Sequence, residues 1–156
     1  MNTFIHSSSV IDDNVIIGEN TKIWHFCHIS SGVKIGKNVS IGQNCFIDKD
    51  IIVGDNCKIQ NNVSIYKGLE IGNNVFIGPS VVFTNDIYPN AYSKEWKIVK
   101  TVLKDNCSIG ANSTIICGVT INEFSLIGAG SVVTKDIKKN SLYYGNPAKY
   151  IRDINS

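Results

Sequence analysis

Three histidines, five cysteines and a set of regularly spaced amides are the residues of this chain with chemistry to offer. His25 and His28 fall within "IWHFCHI", and an imidazole titrates near neutrality, which makes His25 a candidate general base. A zinc centre would need three protein ligands. His6 lies about a turn from the pair, no residue offers a convincing third ligand, and no metal is expected. Cysteine is equally unpromising as a reactive group. There is no C-x-x-C pair, and Cys27, Cys45, Cys57 and Cys107 fall on one small-residue register, so they read as core filler in a reducing compartment. Cys117 is off that register. The amides are more suggestive: His25, Gln43 and Asn61 are 18 residues apart in turn, as are Phe26, Asn44 and Asn62. With Thr84, Asn85 and Asp86 they are expected to form one polar stripe, flanked by Trp24 and Tyr66, able to grip a polar ligand. Asn44 and Asn62 are read as ligand contacts, whereas Gln43 and Asn61 serve equally well to satisfy corner backbone groups.

The elements that position these residues follow from a count of six. From Ile5 to Phe83 every sixth residue is apolar, and the count resumes from Leu103 to Val133. Four residues later runs a register of small or medium side chains, among them Thr21, Cys27, Val33, Val39 and Cys45, and later Ser113, Ser125 and Ser131. Glycine often follows the large apolar residue, as at Gly18, Gly36, Gly42, Gly54, Gly72, Gly78, Gly110 and Gly128. A period of six is neither the 3.6 of an amphipathic helix nor the strict alternation of a half-buried strand. Three such units, 18 residues, make one triangular turn, with short strands stacked at about 4.8 Å on those of the next. Gly and Asn are expected to supply the corner conformations. The architecture is a parallel β-helix, each turn stabilised by its neighbours.

Two segments leave the count. Residues 84–102 lose it entirely and carry Pro89, Tyr88, Tyr92 and Trp96, with Phe83 at their base. A solvated excursion has no reason to hold so much apolar surface, so this reads as an extruded loop covering a ligand or a neighbouring subunit. Residues 138–156 also leave the repeat. There Asn146-Pro147 followed by "AKYIR" predicts a turn into a short C-terminal helix that closes one end of the prism.

The chain of 156 residues is thus expected to be a single domain, 1–156, with the β-helix over 5–137. A formal charge of +2 argues for neither nucleic acid nor membrane as a partner. No apolar run approaches the roughly 20 residues of a membrane span, and "MNTFIHSSS" lacks the pattern of a signal peptide, so a cytoplasmic location is expected.

At "SIGANSTIICGVTI", "IGAGSVVTKDI" and "YGNPAK" the chain resembles the acetyl-CoA-dependent branch of hexapeptide-repeat acyltransferases. At "IWHFCHI", "KIQNNVSIYKG" and "GPSVVFTNDIYP" it is similar, more narrowly, to N-acetyltransferases acting on the 3-amino group of nucleotide-linked sugars for surface polysaccharides such as O-antigen. The resemblance implies a left-handed winding of the all-β solenoid and a homotrimer with active sites between subunits, each covered by the loop. It implies acetyl-CoA as co-substrate, with Gly110, Ala111, Gly128 and Ala129 lining its pantetheine arm and Lys135, Lys149 and Arg152 meeting its phosphates; a solvated basic end is the other account of those three cations. It further implies direct attack of a neutral amine on the thioester, the amine oriented by Asn85 and Asp86, with His25 as fallback base and a backbone N–H stabilising the oxyanion. Asn44, Asn61, Asn62, Tyr66, Lys67 and Tyr88 are the candidate substrate contacts. "FTNDIYP" favours a dTDP-3-amino-3,6-dideoxyhexose as acceptor, and "IQNNVSIY" is equally similar to enzymes of UDP-2-acetamido-3-amino-glucuronate. Lys67 stands where some relatives carry a carboxylate, and Asn90 where relatives often carry Arg. An O-acetyltransferase of the same fold and a non-catalytic trimeric scaffold are the readings from other classes.

Overall fold

The computed structural model describes residues 2–154. The chain winds left-handed as a three-faced β-solenoid. The first face stacks nine strands, from Phe4–Ile5 through Lys22–Ile23, Ser40–Ile41, Lys58–Ile59, Phe76–Ile77, Ser108–Ile109 and Leu126–Ile127 to Ser141–Tyr144 and Lys149–Asp153. The second has seven, from Val10–Ile11 to Val132–Val133, and the third six, from Ile16–Ile17 to Thr120–Ile121. Pairing is parallel in steps of 18, as in Ile5 with Ile23 and Ile23 with Ile41. At the loop the step lengthens to 32, Ile77 pairing with Ile109, without loss of register. Inserted residues are therefore extruded whole, and the stack closes above and below them.

Burial follows the count. Ile23, Ile41, Ile59, Ile77, Ile109 and Ile127 are fully buried, as are their counterparts on the other two faces. The first coil is the exception: Ile5 is 40% exposed, and Ile11 and Ile17 are only half-buried, because no coil lies beneath them. The small register does more than fill space. Cys27 Sγ donates to the carbonyl of Gly42 at 3.0 Å, Cys45 to Gln60 at 3.1 Å and Cys57 to Gly72 at 3.1 Å, as the Thr21 hydroxyl does to Gly36 at 2.8 Å. Thiols and hydroxyls at this register supply the corner carbonyls with donors. Burial pushes the Cys57 thiol up to about 11 and that of Cys107 up to about 12, so both stay protonated and unreactive.

Asparagine and glycine both supply left-handed corners, glycine at Gly32, Gly68, Gly118 and Gly130 with φ between 70° and 100°. Ten Asn, from Asn14 to Asn140, hold φ between 52° and 63°, the left-handed region. The glycines that follow the large apolar residues are needed for another reason, close approach of coils: a Cβ on Gly110 would lie 2.5 Å from the backbone nitrogen of Ala129. Asn amides also stack as ladders, Asn20 to Asn38 to Asn56 at 3.3 and 3.0 Å.

The expected C-terminal helix is absent from the described residues. Ser141–Tyr144 instead joins the first face parallel to Leu126–Ile127, and Lys149–Asp153 turns back antiparallel to it. The turn contains the cis peptide Asn146–Pro147. Five residues form too short a helix to stand alone, whereas the open edge of Ser141–Tyr144 offers a ready ladder of backbone partners. The cap is a strand. The loop is also shorter than expected, since Thr101 and Val102 already belong to the strand Thr101–Leu103 and Thr101 is buried.

Candidate functional site

The 18-residue step assigns each outward residue to one of three edges of the prism, and it divides the predicted site between two. The edge joining the first and second faces carries His25, Asn44, Asn61 and Asn62 on its lower coils. It carries Gly110, Ala111, Gly128 and Ala129 on its upper ones. The edge joining the second and third faces carries Tyr66, Lys67, Asn85 and Asp86, with Lys135 above. The single polar stripe is therefore not formed. Ser80, whose N–H donates to the Asn61 carbonyl at 2.9 Å, continues the amide column, and the loop base begins four residues later at the next corner.

On the first edge, Trp24, His25, Gln43, Gln60 and Asn61 line an open groove of about 310 Å³. His25 is half-buried and stacked on His6, ring centroids 3.5 Å apart, and its ring is nearly parallel to Trp24 at 6.5 Å. His28 points elsewhere, to Asp12 at 3.1 Å. Asn61 accepts the Gln43 backbone N–H at 3.0 Å, which leaves its amide nitrogen for a ligand. Asn44 donates through Nδ2 to Asn62 at 3.0 Å, both in the left-handed corner conformation, which occupies the Asn44 amide nitrogen and leaves its Oδ1 as an acceptor. Higher on the same edge the small residues make a low lane. Ala129 and Gly130 are exposed, and a Cβ added to Gly130 would meet nothing within 4 Å. Gly110 and Gly128, by contrast, are occupied in coil stacking, the latter beneath Tyr144.

On the second edge the loop base is held firmly. Thr84 Oγ1 accepts the Cys117 backbone N–H at 2.9 Å, and the Val99 N–H returns to the Asn85 carbonyl at 3.2 Å. The Asn85 side chain, half-buried, donates through Nδ2 to the Lys67 carbonyl at 3.3 Å, turning Oδ1 away as a remaining acceptor. Asp86 caps the loop's first turn by accepting the Tyr88 N–H at 2.9 Å. Lys67 is drawn toward Asp50, 3.5 Å away, which draws its charge back from the loop base. Tyr66 is tilted against Phe46 at 6.0 Å. Beyond this base the loop is open: Tyr88 is 85% and Tyr92 93% exposed. The return limb is seated by two left-handed glycines, Gly68 beneath Ile98 and Gly118 beneath Val99. These two, with Thr84, position the loop, and sequence spacing does not single them out because corner glycines recur throughout the repeat.

Of the three candidate cations, Lys149 pairs across the hairpin with Tyr144, which stands on Gly128, and so lies at the top of the first edge. Arg152 lies further along the hairpin, its guanidinium 3.4 Å from the Asp153 carbonyl, and Lys135 lies on the second edge. Among the described residues no group of three or more His, Cys, Asp or Glu is placed to hold a metal.

The repeat geometry coincides with a family pattern. The model of the bacterial transferase hexapeptide, six repeats, matches residues 14–49, 50–85 and 100–135, interrupted only where the loop leaves the stack. The chain belongs to the hexapeptide transferases. A second model, the hexapeptide repeat of succinyl-transferase, matches residues 32–67. Among curated proteins none matches the chain. Among solved structures this transferase is similar to a hexapeptide transferase family protein from Anaplasma phagocytophilum, at 26% identity and TM-score 0.68, over 98% of this chain and 80% of that one. It is also similar to a hexapeptide-repeat acetyltransferase of Vibrio cholerae O1 biovar eltor complexed with acetyl coenzyme A, at 26% identity and TM-score 0.62, over 90% and 71% of the two chains. The N-acyltransferase AntD of Bacillus cereus, solved as a point mutant in complex with dTDP and coenzyme A, shares the fold at 22% identity and TM-score 0.59, over 99% and 82%.

Proposed function

We propose that this transferase moves an acetyl group from acetyl-CoA to the 3-amino group of a nucleotide-linked amino sugar, favoured as a dTDP-3-amino-3,6-dideoxyhexose, in the cytoplasm and in the service of surface polysaccharide synthesis. The observation that carries the reading is the half-buried Asn85 carboxamide, anchored through Nδ2 and presenting an acceptor at the base of an aromatic loop. A neutral amine donating one N–H to that oxygen keeps its lone pair free for the thioester carbonyl carbon. As the C–N bond forms and the C–S bond breaks, the surplus amine proton goes to the departing thiolate, directly or through Asp86 or His25. Orientation of the pair is itself worth about 7–11 kcal/mol of barrier. The low lane at Ala111, Ala129 and Gly130 fits an extended thioester arm, with Lys149 at its upper end for phosphate. The Vibrio relative solved with acetyl coenzyme A supports the donor half of the proposal, and AntD, of the same fold, was solved with dTDP beside coenzyme A.

The same reading makes the enzyme a homotrimer. Asn85 and the thioester lane lie on different edges of one prism, so the second edge of one copy, carrying its loop, must lie against the first edge of the next. The exposed Tyr88, Tyr92 and Trp96 supply the apolar surface for that seam. The deciding experiment is thiol release from acetyl-CoA with dTDP-3-amino-3,6-dideoxygalactose, its gluco epimer, and UDP-2-acetamido-3-amino-glucuronate. Turnover with a dTDP sugar is expected. Turnover with the UDP sugar alone moves the assignment to that acceptor, and silence across the panel with acetyl-CoA bound refutes the acceptor class.

A further inference from the structure

Among the described residues, ten of the fourteen non-glycine residues with left-handed backbone are Asn, which tolerates that conformation, and the others are Phe26, Asp50, Ser80 and Phe124. Phe26 is an exception. Its φ is 56°, and its ring is 68% exposed, so burial does not offset the strain of a bulky residue there. Phe26 also interrupts an amide ladder. On the edge between the third and first faces the ladder runs through three residues, Asn20, Asn38 and Asn56. In the column above Phe26 only Asn44 and Asn62 are joined, through Asn44 Nδ2, and among the described residues no side chain donates to Asn44 Oδ1. An exposed aromatic ring and an amide oxygen lacking a donor thus stand one coil apart, about 4.8 Å along the edge. His25 flanks the ring at 6.0 Å and 48°, with His6 stacked behind it.

An aromatic face beside a hydrogen-bond acceptor is the equipment for holding a planar heterocycle that carries a ring N–H. Strain kept at a site where the common corner residue would avoid it points the same way. We propose that Phe26 is the platform on which the base of a nucleoside diphosphate stacks, with Asn44 Oδ1 accepting the base's ring N–H. This deepens the nucleotide-sugar reading and rests on it. Thymine and uracil both carry such an N–H, so the platform serves either nucleotide. Four coils, about 19 Å, separate Phe26 from the corner beside Ala111, which leaves room for a diphosphate and a sugar between base and thioester.

The test is isothermal titration of the full chain with dTDP, UDP and, separately, acetyl-CoA, together with thermal melting. Phe26→Asn restores the common corner residue. It is expected to melt no lower than wild type, to bind dTDP or UDP at least ten-fold more weakly, and to keep its affinity for acetyl-CoA. Phe26→Leu retains bulk without a π-face and is expected to lose nucleotide affinity similarly, whereas Phe26→Tyr retains it. Phe124, also left-handed at φ 56° but on the edge between the third and first faces, supplies the control: Phe124→Asn relieves the same strain and leaves nucleotide binding unchanged. Wild-type nucleotide affinity in both Phe26→Asn and Phe26→Leu overturns the platform while the functional reading stands. Equal weakening of nucleotide and acetyl-CoA also overturns it. Failure of the wild-type protein to bind either nucleotide overturns the functional reading and the platform with it.

Discussion

Replacing Asn85 by alanine separates what this residue does for the fold from what it does for the reaction. In the fold its side chain makes one hydrogen bond, 3.3 Å to the Lys67 carbonyl in a solvent-accessible setting. A neutral bond of that kind contributes about 0.5–1.5 kcal/mol net, and the Lys67 carbonyl can recover part of it from water. The backbone bond from Val99 to the Asn85 carbonyl survives the substitution. The melting temperature should therefore fall by only a few degrees. In the reaction, losing the group that orients the amine should cost on the order of 100-fold in kcat, equivalent to about 2.7 kcal/mol. Asn85→Asp should fare no better, because a carboxylate oxygen would then face the Lys67 carbonyl oxygen. The assay is steady-state thiol release with saturating acetyl-CoA, with acetyl-CoA affinity measured in parallel and expected to be unchanged. An Asn85→Ala enzyme within about three-fold of wild-type kcat would refute the orienting role.

Gly110→Ala should destabilise the solenoid by about 1–3 kcal/mol, because its Cβ would press on the backbone of the next coil at Ala129; an unchanged denaturation midpoint would contradict that packing. Cys57 and Cys107 retain their protons up to about 11 and about 12 when folded, against 9.0 for the free thiol. Below pH 9 they cost the fold nothing. As pH rises from there toward 12 the unfolded chain alone loses protons, so the melting temperature should decline over that window, and substituting both cysteines by Val should flatten the decline. Chains carrying Asn85→Ala should keep only about a hundredth of the wild-type kcat and chains carrying Ala129→Phe should be similarly impaired, yet unfolding and reassembling them together should restore about a quarter of the wild-type sites if seams unite the second edge of one copy with the first edge of the next. No recovery in verified mixed oligomers would locate the whole site within one chain.

The core of this molecule is legible in its sequence because one constraint is repeated in every coil. Each Ile meets the same neighbours as the Ile 18 residues away, so the period alone assigns Ile23, Ile41 and Ile59 to one buried column. The loop is legible as a break in the same count. The tail misleads because "NPAKYIR" is locally compatible with a helix, whereas its actual partner, the edge of Ser141–Tyr144, is supplied by the stack and not by the local sequence. The polar stripe misleads for a related reason. Thr84 resembles a continuation of the amide columns in residue type, but Ser80 holds that place in the count, and a shift of four residues carries a side chain round to the next corner. The seating of the loop by Gly68 and Gly118 has no local signature, since it depends on Ile98 and Val99 arriving from the far side of an extruded segment.

A solenoid of this kind cannot bend one edge toward another, because every coil is fixed to its neighbours by parallel pairing on all three faces. Chemistry that needs residues from two edges must therefore recruit something that leaves the stack, or a second copy. The extruded loop does the first: anchored at Thr84, Asn85 and Val99, it projects exposed aromatic side chains while the coils above and below close in register. Its anchoring and its projection serve different ends. A firm base keeps the Asn85 carboxamide in a single orientation, which the proposed catalysis by positioning requires. An open tip leaves Tyr88 and Tyr92 exposed and available to the neighbouring edge of the proposed trimer, with its amide groove and low lane. In the proposed trimer, assembly and substrate closure would be one event, and the rigidity that keeps the two edges of one chain apart would give the completed site its fixed geometry.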